Sequence, residues 1–146
     1  MATLRRFIAA ILFLGMAGAL TELFLLGHTE DFDQWIPIGL LLVALVLLVW
    51  NTMRPTVASL RLWQAVMVLF FIAGLTGSWL HFGANLEFQL EMDPSLSGAA
   101  LFWKAAQAKS PPALAPGVMV QMGLLGLAYT FRHPYLRKPE VVEADR

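Results

Sequence analysis

The residues from Trp35 to Met53 carry no charged side chain, and this run constrains the fold more than any other feature of the sequence. The hydrocarbon core of a bilayer is about 30 Å thick, and a helix needs roughly 20 apolar residues to cross it. Backbone amides find no water in lipid, so a crossing segment must pair them internally. The run is therefore predicted to be a transmembrane helix.

Three other apolar runs of similar length occur in the chain of 146 residues. Only 14% of the residues are charged, whereas soluble domains carry roughly a quarter, so much of the surface is expected to face lipid. The runs predict an all-α integral membrane protein, a four-transmembrane-helix bundle that forms one membrane domain over residues 1–146. The predicted spans lie at about 7–27, 35–53, 60–81 and 114–131.

Tryptophans flank two of the predicted spans. Trp35 and Trp50 bracket the second span, and Trp63 and Trp79 bracket the third. About fifteen helical steps of about 1.5 Å cover about 23 Å, which is close to the separation of the two interfacial belts where indole rings settle. All four side chains are therefore predicted to lie at the membrane–water interfaces.

Most basic residues lie on one side of the predicted spans. By the positive-inside rule this side is cytoplasmic, which predicts cytoplasmic termini and the inner (plasma) membrane of a bacterium as the location. Arg5 and Arg6 followed by an apolar run also resemble a secretory signal, but the run continues to Gly27, so the first span is expected to be retained. The residues concerned are Arg5, Arg6, Arg54, Arg61, Arg132, Arg137, Lys138 and Arg146.

Small residues at helical spacing predict which spans pack together. Lipid supplies no hydrophobic drive for association, so helices gain contact where small residues let their backbones approach. Spans one, three and four carry such pairs and are predicted to contact one another, whereas span two is bulky all round and is predicted at the periphery. The pairs are Gly15 with Ala19, Gly74 with Ser78, and Gly123 with Gly126.

Glu22 is the one acidic residue inside a predicted span, roughly 9 Å from its outer end. Intramembrane carboxyl groups are costly, and they commonly face the protein interior and carry function. Thr76, Ser78 and Gln121 lie at similar predicted depths. These four residues are predicted to form a polar layer in which Glu22 relays protons or binds a ligand; alternatively, Glu22 reaches the interface.

Histidines and carboxylates cluster in the outer segments and suggest a metal site. Imidazole with carboxylate suits zinc or a similar divalent ion, and a haem between the two histidines is a further possibility. No compact ligand motif accompanies them, and interfacial histidines satisfied by water are the alternative; the sequence by itself requires no cofactor. The candidate ligands are His28, Glu30, Asp31, His81 and Glu87.

The connection 82–113 is longer than a turn requires and is predicted to be an outer-face loop that contains a short amphipathic helix. Apolar and polar residues alternate over 86–92, which favours a strand, although a helix would place Glu87 and Glu91 on one face. Both interpretations remain open. Leu101, Phe102 and Trp103 are expected to anchor the short helix, and residues 132–146 form a predicted cytoplasmic tail.

The sequence contains no nucleophile–base pair, phosphate-binding loop or nucleic-acid patch, so no enzymatic role is predicted. The absence of cysteine excludes disulfides and thiolate metal sites. The preferred hypothesis is an accessory or interaction subunit of a larger membrane assembly, whose partners are the lipid bilayer and other membrane subunits or further copies of itself. The alternatives are a small proton- or ion-coupled transporter that uses Glu22, and an outward-facing metal or haem protein that uses His28 and His81.

Overall fold

The computed structural model of the chain describes residues 2–136, which form helices joined by turns, with no strand in that range. The sequence-based expectations for Arg137, Lys138, Arg146 and the rest of the tail lie outside the described residues. The elements are α1 (Ala2–Leu25), α2 (Phe32–Met53), α3 (Val57–Met92), α4 (Gly98–Ala106), α5 (Gly117–Thr130) and a 3₁₀ turn (Pro134–Leu136).

Helices α1, α2 and α3 are each long and apolar enough to cross a membrane. Their 24, 22 and 36 residues correspond to about 36, 33 and 54 Å at 1.5 Å per residue. The prediction of an all-helical membrane protein is thereby confirmed in its general form. Helix α5 is also apolar, but it has only 14 residues.

Helix α3 continues 11 residues beyond the predicted end of span three at His81 and reaches Met92. The predicted loop 82–113 is therefore wrong in its first third, and the helical interpretation of 86–92 is the one that the structure shows. The physical reason is that a helix pairs its own amides, whereas an isolated strand leaves them unpaired. One face of this extension is also covered, because the rings of Phe82 and Phe102 on α4 lie 5.3 Å apart.

Helix α5 begins at Gly117 rather than at the predicted residue 114. Prolines at 111, 112 and 116 remove backbone donors and disfavour the α conformation in the residues before them. Instead, i→i+3 hydrogen bonds join Ala115 to Pro112, Gly117 to Leu114 and Val118 to Ala115. The chain therefore enters α5 through a tighter winding of the 3₁₀ type.

The four apolar helices contact one another in cyclic order: α1 packs on α2, α2 on α3, α3 on α5, and α5 on α1. The prediction that span two lies at the periphery is wrong. Helix α2 buries a stripe of Leu41, Ala44 and Leu48 at helical spacing against its neighbours. Bulky side chains such as Val46 and Trp50 are exposed on its other faces.

Glycines bring the backbones of α3 and α5 into direct contact. A Cβ atom on Gly123 would lie 2.7 Å from the carbonyl oxygen of Met67 and 3.1 Å from the backbone nitrogen of Phe71. A Cβ on Gly74 would lie 2.8 Å from the backbone nitrogen of Val120. The predicted small-residue packing is therefore confirmed between these two helices, and Gly15 of α1 likewise faces Met122 of α5.

Trp63 is a core residue, which the prediction of an interfacial tryptophan did not foresee; its depth in the membrane stays a prediction. Its side chain is fully buried, and Nε1 donates a 2.7 Å hydrogen bond to the carbonyl oxygen of Gly126 on α5. The ring of Tyr129 packs edge-on against it at 5.8 Å. Protein can enclose an indole when a backbone acceptor satisfies its N–H, and the close approach at the glycines supplies one.

We expect Gly123→Ala to disrupt the α3–α5 contact, because the added methyl group meets backbone atoms that cannot rotate away. Thermal unfolding in detergent should show a loss of about 1–3 kcal/mol, the usual cost of overpacking. Gly18→Ala on α1 is the matched control: a Cβ there meets nothing within 4 Å, and alanine should stabilise the helix by about 0.5–1 kcal/mol. Equal stability of the two variants would contradict the packing described here.

Candidate functional site

A pocket of about 300 Å³ with both polar and apolar lining lies where α3 begins and α5 ends. We call it the basic pocket, because two arginines and a histidine line it. Its polar lining residues are Arg61 and Gln64 of α3, Thr130 of α5, and Arg132 and His133 of the segment that follows. The side chains of Leu127, Phe131 and Leu136 complete the wall.

Hydrogen bonds across the helix contact hold one side of the basic pocket. Gln64 Nε2 donates to Thr130 Oγ1 at 3.0 Å, and the Thr130 hydroxyl donates to the carbonyl oxygen of Leu127 at 2.8 Å. One guanidinium N–H of Arg61 donates to Gln64 Oε1 at 3.0 Å. The amide of Gln64 is therefore satisfied at both ends, and it orients Arg61 at the edge of the pocket.

Arg5 ties the N-terminus of the chain to this site. Its Nη2 donates to the carbonyl oxygen of Arg132 at 2.7 Å and lies 3.5 Å from that of Phe131. These carbonyl groups follow the end of α5, where helical carbonyls lack partners and the helix dipole is negative. A cation from α1 therefore neutralises the end of α5 beside the basic pocket.

Arg132 adopts a left-handed conformation with φ of 50°. The position just past a helix end commonly takes this conformation and is usually glycine, since a Cβ atom costs free energy there. The guanidinium carbon of Arg132 lies 5.5 Å from the centre of the Phe131 ring. An arginine is thus held at a position where local geometry favours glycine.

His133 is buried, with 7% of its surface exposed. Its Nδ1 has no hydrogen-bond partner among the described residues, and the same is true of the enclosed Nε of Arg5. Burial, reinforced by the positive charge of Arg5, lowers the pKa of His133 from its ordinary value of 6.5. The imidazole is therefore held in its neutral form at neutral pH.

The acidic residues of the described range 2–136 lie far along the chain from the pocket-lining residues, within 22–33 and 87–93. In that range no acidic side chain accompanies Arg5, Arg61 and Arg132. The basic pocket accordingly offers positive charge and N–H donors, a chemistry that suits recognition of anionic oxygen atoms. Arg61 and Gln64 lie one helical turn apart in the sequence, and this spacing places both side chains on one face of α3. The sequence alone used the basic residues only to predict the orientation in the membrane and did not identify this site.

The four residues of the predicted polar layer are not gathered in the interior. Glu22, Thr76 and Gln121 are exposed on α1, α3 and α5, and Ser78 is half-buried. Helix α1 ends at Leu25, which places Glu22 in its last turn and nearer the helix end than the sequence indicated. This location favours the alternative in which the carboxylate of Glu22 reaches the interface.

The five predicted metal ligands are spread over separate elements. His28, Glu30 and Asp31 lie in the turn between α1 and α2, and His81 and Glu87 lie on α3. In residues 2–136 no group of three or more histidine, aspartate or glutamate side chains is placed to hold one metal ion. His81 Nδ1 instead lies 3.1 Å from the carbonyl oxygen of Pro112, which gives this side chain a structural contact.

Comparison with known proteins gives no relative from which a role can be carried over: no protein-family model, curated protein or solved structure matches the chain.

The depressed pKa of His133 predicts that the folded protein loses stability in mild acid. The unfolded chain takes up the proton on His133 near pH 6.5, and the folded chain takes it up only at lower pH. The free energy of unfolding should therefore be highest above about pH 6.5 and should fall as the pH drops from there towards the lower pKa of the folded state. Melting temperatures in detergent between pH 7.5 and 5 measure the effect. His133→Gln should flatten the profile, and an unchanged profile in this variant would contradict the assignment.

Proposed function

We propose that this chain is a four-span membrane protein that serves as an accessory or interaction subunit of a larger membrane assembly. It docks its partner through the part of α3 that extends past the membrane. We call this part, residues 82–92 together with α4, the projection. The observation that carries the proposal is the length of α3, whose 36 residues extend about 54 Å against a hydrocarbon core of about 30 Å.

The fourth crossing is supported by the segment that leads into α5. The i→i+3 hydrogen bonds between residues 112 and 118 extend the helical winding ahead of Gly117. Residues 114–130 then reach about 27 Å, if the first three rise about 2 Å each and the rest about 1.5 Å. This length, together with contacts to α1 and α3, supports a four-helix bundle in which α5 crosses beside its neighbours.

The projection is built as a rigid platform. Asn85 on α3 is buried, and its Nδ2 donates a 2.9 Å hydrogen bond to the carbonyl oxygen of Pro111. The contact of Phe82 with Phe102 holds α4 against the same face of α3. Two contacts from one face of α3 thus attach both α4 and the segment that follows it. A partner meets a preformed surface and loses little entropy in ordering it.

The free face of the projection combines apolar and acidic side chains. Phe88 is 54% exposed and Met92 is 70% exposed, one helical turn apart, and Glu87 and Glu91 are exposed beside them at the same spacing. Apolar side chains inside the bilayer face lipid, but those beyond it face water unless a partner covers them. The surface suits a membrane protein with an apolar ridge bordered by basic residues.

The proposed orientation places both termini in the cytoplasm and the projection on the opposite side of a bacterial inner membrane. Its support is the distribution of arginine, because Arg5, Arg54, Arg61 and Arg132 gather at one end of the helices and the positive-inside rule makes that end cytoplasmic. Glu87 and Glu91 lie at the other end. The part of a membrane partner that lies outside the cytoplasm can then reach the projection.

A coupled transporter that uses Glu22 stays an alternative with less support, since the carboxylate lies in the last turn of α1 and is exposed. If Glu22 couples transport, Glu22→Gln should abolish proton uptake driven by a potential in proteoliposomes, because an amide carries no proton at neutral pH. We expect the wild-type chain and this variant to give the same flux. A flux that disappears only in the variant would restore the transporter hypothesis.

The accessory-subunit proposal is tested by photo-crosslinking in membranes of the source cells. A benzophenone amino acid at Phe88 or Met92 should give one adduct of defined mass, because both side chains lie on the proposed contact face. The same amino acid at Leu62 or Leu69, which are exposed on the span of α3, is the control for lipid-facing positions. Mass spectrometry of the adduct identifies the partner.

Two further variants separate docking from folding. Phe88→Ser should weaken the adduct formed at Met92 by about thirtyfold, since loss of a buried aromatic anchor commonly costs about 2 kcal/mol or more. Its melting temperature should be unchanged, because the side chain is exposed. The proposal fails if Phe88 and Met92 give no more adduct than the control positions, or if the extracted chain runs only as a monomer without a partner.

A further inference from the structure

We propose that the basic pocket binds a phosphate-type anion, held by the guanidinium groups of Arg61 and Arg132 and by the imidazole of His133. This binding is separate from docking at the projection, which lies at the opposite end of the helices. The phosphate belongs either to the headgroup of an anionic phospholipid or to a soluble phosphate compound. Both sources present the same charged oxygen atoms to the pocket.

The first argument concerns His133, a pocket-lining side chain with a buried nitrogen atom that lacks a partner among the described residues. His133 lines the pocket and is more than nine-tenths buried, and within residues 2–136 its Nδ1 has no hydrogen-bond partner. Buried polar atoms are nearly always paired, so an unpaired one requires an explanation. Nδ1 itself has no accessible surface, so a bound anion acts on the ring through its charge, by stabilising the imidazolium form.

The second argument is the concentration of positive charge around the pocket. Arg61 of α3 and Arg132 line the pocket, Arg5 of α1 lies close enough to lower the pKa of His133, and the acidic residues of the described range lie elsewhere in the sequence. Like charges at a site destabilise one another, as the effect of Arg5 on the pKa of His133 shows. A bound anion removes this repulsion, and a phosphate offers three oxygen atoms to donors from different directions.

The end of a helix is by itself an unfavourable place for an anion, because helical carbonyl groups point outward there. Arg5 resolves this conflict. Its guanidinium donates to the carbonyl oxygen of Arg132, so the negative end of the helix is already occupied by a cation. The guanidinium groups of Arg61 and Arg132 keep donors in excess, since Arg61 uses one N–H on Gln64.

Protonation of His133 couples binding to pH. The charged or titratable groups around its ring are Arg5 from α1, Arg61 from α3, Tyr129 from α5 and Arg132 and Tyr135 from its own segment. The cations disfavour the imidazolium, and a bound anion favours it. Binding should therefore be tighter below the pKa of His133 and weaken as the pH rises through it.

The experiment follows the three histidines by NMR in the full-length protein. The chain, with histidine labelled with ¹⁵N, is placed in nanodiscs of phosphatidylcholine, and each imidazole is titrated. One arm adds phosphatidylglycerol to the nanodisc, and the other adds inorganic phosphate to the buffer. We expect one of these additions to raise the pKa of His133 relative to those of His28 and His81, which lie at the other end and report the general surface potential.

Variants show whether the pocket is responsible. Arg61→Gln and Arg132→Gly should each weaken the anion response at least about tenfold, the usual effect of losing a charged hydrogen bond. Arg132→Gly should keep or raise the melting temperature, because glycine adopts the left-handed conformation freely. The control is Arg54→Gln, which removes a charge from the same end outside the pocket and should change the response less than about twofold.

Each outcome decides the proposal. A response to phosphatidylglycerol alone assigns the site to a lipid headgroup, and a response to inorganic phosphate alone or to both assigns it to soluble or shared phosphate recognition. The proposal is overturned if neither addition shifts the pKa of His133 relative to the other histidines. It is equally overturned if Arg54→Gln reduces the response as much as Arg61→Gln does.

Discussion

The direct contact between the backbones of α3 and α5 is the interaction on which the rest of this structure depends. Lipid tails are as apolar as leucine, so burial of side chains cannot drive the two helices together inside a membrane. Gly74 and Gly123 let the chains approach until each would-be Cβ meets backbone atoms of the other helix. At that separation dispersion forces and hydrogen bonds between helices become available.

Several features follow from this approach. Trp63 reaches the carbonyl oxygen of Gly126, and Gln64 reaches Thr130, so the start of α3 and the end of α5 are joined by polar contacts. The same alignment places Arg61 beside Arg132 and His133 and so forms the basic pocket. Because α5 has 14 residues and α3 has 36, alignment at one end leaves α3 unmatched at the other. The projection and the pocket are thus two results of one helix pairing.

Sequence reasoning predicted the features that depend on composition and on short-range spacing. It identified helical membrane segments from apolar runs, and it identified the small residues that let α3 and α5 approach. It placed α2 at the periphery and did not foresee that protein encloses Trp63, and both shortcomings have one cause. A single sequence does not show which face of an apolar helix meets protein and which meets lipid, because leucine, valine and tryptophan suit both environments.

By itself, the sequence determined that the chain consists of long apolar helices and that its basic residues collect at one end. These properties depend on the free energy of moving each side chain from water into lipid. Each residue contributes to that free energy largely independently of the others, so the sequence is enough to predict them. Only the tertiary structure decided that Glu22 is exposed, that His81 contacts Pro112, and that His133 is buried beside Arg5. Such relations join residues up to about 130 positions apart in sequence, and the geometry of helix packing rather than local spacing brings them together.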